Sequence, residues 1–114
     1  MTTPNDTNTI DREAVAAKLD EARALIERGW TQEVEARDAD GVEVFDDAEE
    51  AVCFCAVGAL NRVGYSATAH RALKGVVGGE DVVDWNDSPH RTQADVIDAF
   101  KRAAAGVRSG EIAL

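Results

Sequence analysis

Two cysteines, Cys53 and Cys55, are the side chains of this chain that suggest a nucleophile. A thiol attacks as the thiolate, which forms at neutral pH only when a helix N-terminus, a histidine or a nearby cation lowers its pKa. Here the acids Asp46, Asp47, Glu49 and Glu50 precede both thiols and would raise it. The spacing Asp46 to Val63 reads as one helix, which puts the thiols in its second or third turn, away from the dipole's strongest field. Both are read as packing thiols, with Cys55 the one candidate for chemistry. A bridge between residues two apart has poor geometry, so reduced thiols are expected.

The two histidines, His70 and His90, are the candidate general bases. Each sits beside an arginine in a polar stretch, and exposure is the plainer reading. Two Cys and two His could in principle bind zinc. Cys-x-Cys inside an apolar run, without paired histidines, lacks the spacing of such a site. No metal and no cofactor is expected.

Trp85-Asn86-Asp87, followed by Arg91 and Thr92, is the cluster that most resembles a binding site. It gathers an aromatic face, an amide, a carboxylate, a guanidinium and a hydroxyl where a loop meets a helix start. Free backbone N–H groups at such places suit small polar ligands. Trp30 and Gln32 are the expected neighbours. A packing role is equally concrete: Asp87 paired with Arg91, Asn86 satisfying loop backbone and Trp85 closing the core.

Charge supplies the third candidate. Residues 1–50 hold 15 acidic and 5 basic side chains, against 7 of each in residues 51–114. Nine acids and one base, Arg37, lie between Glu33 and Glu50. Such a surface excludes nucleic-acid binding as a main activity, because phosphate needs clustered Lys and Arg. It suits a basic protein partner, with Glu33, Glu35, Asp38, Asp40 and Glu43 facing it, or simple solvation. Asp38, Asp40 and Glu43 also faintly resemble a calcium loop, but the glycine falls too early and the bidentate Glu is missing.

The elements that must hold these groups follow from periodicity and punctuation. A first helix runs from about Asp11 to Arg28, capped by Thr9 or Asp11, with Val15, Leu19, Ala22 and Ile26 on one face. Gly29 is read as the left-handed stop, and Trp30 as folding back onto the core. Val34, Ala36, Val42 and Val44 around Asp38-Ala39-Asp40-Gly41 predict a β-hairpin over residues 31–45. The block Ala51–Leu60 has no polar face, so the helix from Asp46 or Asp47 to Val63 is expected to be central and buried, with Gly64 ending it. A third helix spans Ser66 to about Lys74. After a loop through Asp87, Thr92 to Asp95 has capping-box spacing ahead of a last helix carrying Val96, Phe100, Ala103 and Val107.

Gly29-Trp30-Thr31-Gln32, Cys55-Ala56-Val57-Gly58-Ala59-Leu60 and Trp85-Asn86-Asp87 with Arg91-Thr92 occur in that order. Together they resemble a family of uncharacterised small actinobacterial and actinophage proteins, over roughly Leu19 to Ala104. The resemblance implies an actinobacterial or phage source and makes Cys55 the more motif-like thiol. It carries no catalytic residue.

The expectation is an α+β fold: a small, mainly helical domain over residues 10–110, with about four helices around a buried central helix and one β-hairpin. Residues 1–9 read as a disordered tail without a signal peptide's features, and residues 111–114 as frayed. The longest apolar run is too short to span a membrane, so a cytoplasmic location is expected. The expected function is non-enzymatic: an interaction or regulatory protein docking a basic partner. The alternatives are a small-ligand pocket at Trp85–Asp87 and, behind it, a Cys-dependent hydrolase or transferase.

Overall fold

The computed structural model describes residues 11–114, so the expected tail at 1–9 and the alternative cap Thr9 lie outside the described residues. Helix α1, Arg12–Arg28, begins where Asp11 accepts a bond from the Ala14 N–H at 3.2 Å. Its buried stripe is Val15, Ala16, Leu19, Ala22 and Ile26. The last helix, Gln93–Ser109, lies along it, with Val96, Ala99, Phe100, Ala103, Ala104 and Val107 turned inward. Alanines on both stripes suit a close approach of the two helices, and Leu19, Ile26 and Phe100 are fully buried. Burial of side chains of this size contributes about 1.5–3 kcal/mol each.

Polar ties fix the antiparallel alignment of this pair. Arg12 donates to the Val107 carbonyl at 3.0 Å, and Gln93 at the other end donates to the Ile26 carbonyl at 2.8 Å. Arg108 bridges Glu13 and Asp20, both at 2.8 Å. The capping box forms with both of its bonds, Thr92 to the Asp95 N–H and Asp95 back to the Thr92 N–H. Beyond Gly110, where fraying is expected, the Ile112 N–H donates to Gly106 and the Ile112 carbonyl accepts from Arg12 at 2.9 Å.

Residues 46–63 depart most from expectation. They do not form one helix. Phe45 to Ala51 make two successive turns, Ala48 to Phe45 and Ala51 to Ala48. The chain is then extended, and the helix is short. In chain order, strand β1 is Ala36–Arg37, β2 is Cys53–Phe54, and helix α2 is Ala56–Arg62. The strands pair antiparallel, Ala36 opposite Phe54 and Arg37 opposite Cys53. On its other side, Phe54 donates to the Gly29 carbonyl and accepts from the Thr31 N–H. An apolar run of this length suits a buried strand as well as a helix, and periodicity cannot separate the two. Bonding on both edges of the segment decides for strand, because the Val52 and Cys55 N–H groups donate to the Arg37 and Glu35 carbonyls on the side away from Gly29.

The hairpin is present in reduced form. Arg37 and Glu43 bridge around the expected turn, with the Asp38 N–H bonded to Val42 and the Val44 N–H to Ala36. The turn is built by the Asp38 carboxylate, which accepts from the Asp40 and Val42 N–H groups, both at 2.9 Å. Gly29 is also corrected. Its backbone is extended (φ −178°), and it ends α1 for a different reason. A Cβ there would lie 2.3 Å from the Val52 carbonyl oxygen, so only glycine lets the β2 segment approach.

Helix α3, Ala67–Val76, is capped by Ser66 as expected. The stretch read as a loop before Asp87 contains a further helix, α4, Val82–Asn86, capped by Asp81; the last helix is therefore α5. Among the described residues, five helices and the two-stranded antiparallel β1–β2 sheet make a mainly helical α+β domain. Helix α2 contacts α1, α3, α4 and β2, with Ala56, Gly58, Ala59 and Leu60 buried. Among the described residues, no helix is long and apolar enough to cross a membrane.

Candidate functional site

Asn86 is fully buried where α4 ends, and it is the hub of the expected Trp-Asn-Asp cluster. A side-chain amide can accept two bonds and donate two. Its Oδ1 accepts from Trp30 Nε1 at 2.9 Å and from the Ala56 N–H, the first residue of α2, at 3.0 Å. Its Nδ2 donates to the Thr31 carbonyl at 3.2 Å and to Asp87 Oδ1 at 3.0 Å. All four positions are filled by the protein. Gln32 Nε2 adds bonds to the carbonyls of Asn86 and Ser88, at 3.0 and 2.9 Å.

The expected neighbours Trp30 and Gln32 are therefore brought to Asn86, but their polar groups point at one another. Asp87 does not pair with Arg91. Its Oδ1 holds the Glu33 N–H at 2.9 Å, and Glu33 has a positive φ of 75°. An unfavourable conformation of this kind persists only where its surroundings enforce it, and the Asp87 bond is one such constraint. Arg91 instead stacks on Trp85, 4.1 Å from the ring centroid, and donates to the Trp85 carbonyl at 2.9 Å. Thr92 caps α5.

Cys55 does not lie in the second or third turn of a helix. It is the N-cap of α2, and its Sγ accepts from the Gly58 N–H at 3.3 Å. Burial pushes the thiol's pKa up, against the Gly58 and Val57 amides that lower it, and Glu35 and Asp87 push the same way as burial. Only 3% of the residue is exposed. Gly58 explains how closely this helix start sits against β1: a Cβ there would lie 2.1 Å from the Glu35 carbonyl oxygen. His90 is exposed, and His70 Nδ1 lies 2.9 Å from the Tyr65 hydroxyl. Among the described residues, no three His, Cys, Asp or Glu side chains gather as a metal site.

The acidic segment is on the surface. Glu33, Glu35, Asp40 and Glu43 are exposed, whereas Asp38 is tied into the turn. A side-chain hydrogen bond with Asp46 is the main cause that raises the Glu35 pKa; burial and the charges of Asp46 and Glu43 add to it. In the middle of these acids Phe45 is 84% exposed, and Val42 is 58% exposed. Phe45 borders a cleft of about 550 Å³ with Glu43, Val44, Ala48 and Glu50. Phe45 is not among the residues that motif or periodicity singles out. Its signal was an aromatic side chain with Glu43 before it and Asp46-Asp47 after it, in a stretch with no other large apolar group but valine.

Residues 11–106 match the sequence profile of DUF6197, a family of unknown function, and the chain belongs to that family. No curated protein and no solved structure matches it.

Proposed function

We propose that this family member is a non-enzymatic docking protein of the cytoplasm, taking a basic protein segment on the face formed by Glu33, Glu35, Asp40 and Glu43. The observation that carries this reading is Phe45, an aromatic side chain left 84% exposed among carboxylates. Large apolar side chains at a surface mark contact sites when they border a cleft, and an aromatic residue is a common anchor there. Surrounding acids select a partner bearing Lys or Arg beside one apolar residue, and they disfavour nucleic acid. The saturated Asn86 hub supports packing at the Trp-Asn-Asp cluster rather than ligand capture. An actinobacterial or phage setting rests on the motif resemblance alone.

The test is fluorescence anisotropy with two labelled 12-residue peptides of equal Lys and Arg content, one carrying a central Leu. The Leu peptide should bind more tightly, and its affinity should fall as salt rises. Phe45→Ser should remove the preference between peptides, and Glu43→Lys with Asp40→Lys should weaken both. Equal binding of the two peptides to the wild type, or no binding, overturns the proposal.

A further inference from the structure

A second cleft, of about 320 Å³, is lined by Leu25, Arg28, Ala51, Val52, Phe54 and Arg62. Its chemistry is the reverse of the rest of the molecule. Four of the lining side chains are apolar, and the two charged ones are both arginines. The chain carries 22 acids and 12 Lys and Arg. Even so, among the described residues neither Arg28 nor Arg62 is in an ion pair; Arg12, Arg37 and Arg71 are unpaired as well, while Arg23, Arg91, Arg102 and Arg108 are paired.

The two guanidinium groups are held differently. Arg62 is positioned: its Nη1 donates to the carbonyls of Asp46 and Ala48, at 3.1 and 2.6 Å, and its guanidinium carbon lies 5.7 Å from the Phe54 ring centroid. Its remaining nitrogens have no hydrogen-bond acceptor among the described residues. Arg28, at the last position of α1, is exposed and has no side-chain bond there at all. Val52, 45% exposed despite being apolar, faces the same space. A guanidinium fork matches a carboxylate in plane and spacing, and the apolar wall asks for a hydrocarbon body attached to it. The volume is at the lower end for small-ligand pockets.

We infer that the cleft between the end of α1 and β2 binds a small amphiphilic carboxylate, its anion between Arg28 and Arg62 and its chain against Leu25, Val52 and Phe54. This site shares no lining residue with the Phe45 cleft and does not depend on the docking reading. A free medium-chain carboxylate and the C-terminal residue of an apolar peptide share this chemistry. Two-dimensional NMR of the uniformly labelled protein, titrated with octanoate and with a tripeptide ending in Leu, separates the two sources. Octanol and the tripeptide amide serve as uncharged controls.

Shifts should concentrate at Val52, Phe54 and Arg62 with at least one carboxylate and be far smaller with the uncharged controls. Arg28→Gln, which breaks no bond within the fold, should weaken binding roughly tenfold, the loss of one charge-assisted hydrogen bond. Val52→Asp should weaken it comparably by placing a like charge on the wall. Binding of octanol as tight as that of octanoate overturns the inference, as do shifts centred elsewhere, an unaffected Arg28→Gln variant, or no saturable shift with either carboxylate.

Discussion

Trp30 Nε1 donates to Asn86 Oδ1 at 2.9 Å, across 56 positions of the chain. That bond ties the segment leaving α1 to the end of α4, and the same oxygen also holds the first N–H of α2. Three elements therefore meet at one buried amide, whose four hydrogen-bonding positions are all filled within the protein.

Replacing Asn86 by Ala should destabilise the fold by about 3 kcal/mol or more, since it orphans the Trp30 and Ala56 donors in a buried place. Asn86→Asp should also destabilise, because a carboxylate cannot donate to Thr31 and Asp87 and would sit beside the Asp87 charge. Urea unfolding followed by tryptophan fluorescence measures both. A loss under about 1 kcal/mol for Asn86→Ala would show that the hub is dispensable.

One substitution at two glycines should give opposite signs. Gly58→Ala places a methyl 2.1 Å from the Glu35 carbonyl oxygen, so β1 and α2 must separate. The cost should be about 1–3 kcal/mol. Gly75 lies in α3 with open space around the same position, and Gly75→Ala should stabilise by about 0.5–1 kcal/mol through helix propensity. Thermal unfolding of the two variants side by side reads the difference.

Cys55 serves α2 as an N-cap, so Cys55→Ala should cost about 1 kcal/mol and Cys55→Ser should recover much of it. In the folded protein, iodoacetamide should modify the partly exposed Cys53 before Cys55. Mass spectrometry of the peptide spanning both residues assigns the order. Rapid alkylation of Cys55 at neutral pH would contradict its burial and raised pKa.

Glu35 supplies a pH signature. Its folded pKa lies above its unfolded value, chiefly through the hydrogen bond with Asp46. The stabilising form is thus the protonated one: its contribution is complete below the unfolded pKa and disappears as pH rises through the folded pKa. Glu35→Gln should be more stable than wild type at pH 7, and its advantage should shrink as pH falls into the carboxylate range. Glu13 has the opposite sign, its pKa lowered mainly by the Arg108 hydrogen bond. The Glu13 contribution is present above the unfolded pKa and is lost as pH falls through the folded one. Urea midpoints for wild type, Glu35→Gln and Glu13→Gln across pH 4–7 separate the two groups.

Much of the helical frame was legible residue by residue. Asp11, Ser66 and Thr92 act as caps on their nearest amides, and the stripes of α1 and α5 follow the helical period. The Asp38 turn was legible for the same reason, since its carboxylate bonds residues two and four positions on. The candidate-site residues Trp30, Gln32, Trp85, Asn86 and Asp87 could be grouped by type. What they bond to could not be read, because one amide can serve a ligand or the backbone equally well.

The amino-acid order by itself thus determined which stretches are helical at the two ends of the chain, where they start, and where the negative charge is concentrated. Those properties depend on neighbours within about one helical turn. The tertiary structure alone decided that the apolar block splits at Cys55. The Val52–Cys55 segment becomes extended because residues distant in the chain bond both of its edges: Gly29 and Thr31 bond Phe54 on one side, and the Arg37 and Glu35 carbonyls accept from Val52 and Cys55 on the other. The same long-range packing filled every bond of Asn86, exposed Phe45, and put Arg28 and Arg62 on the walls of one cleft. No local pattern encodes such pairings: they form only when segments tens of residues apart bury one another's apolar faces and satisfy one another's polar groups.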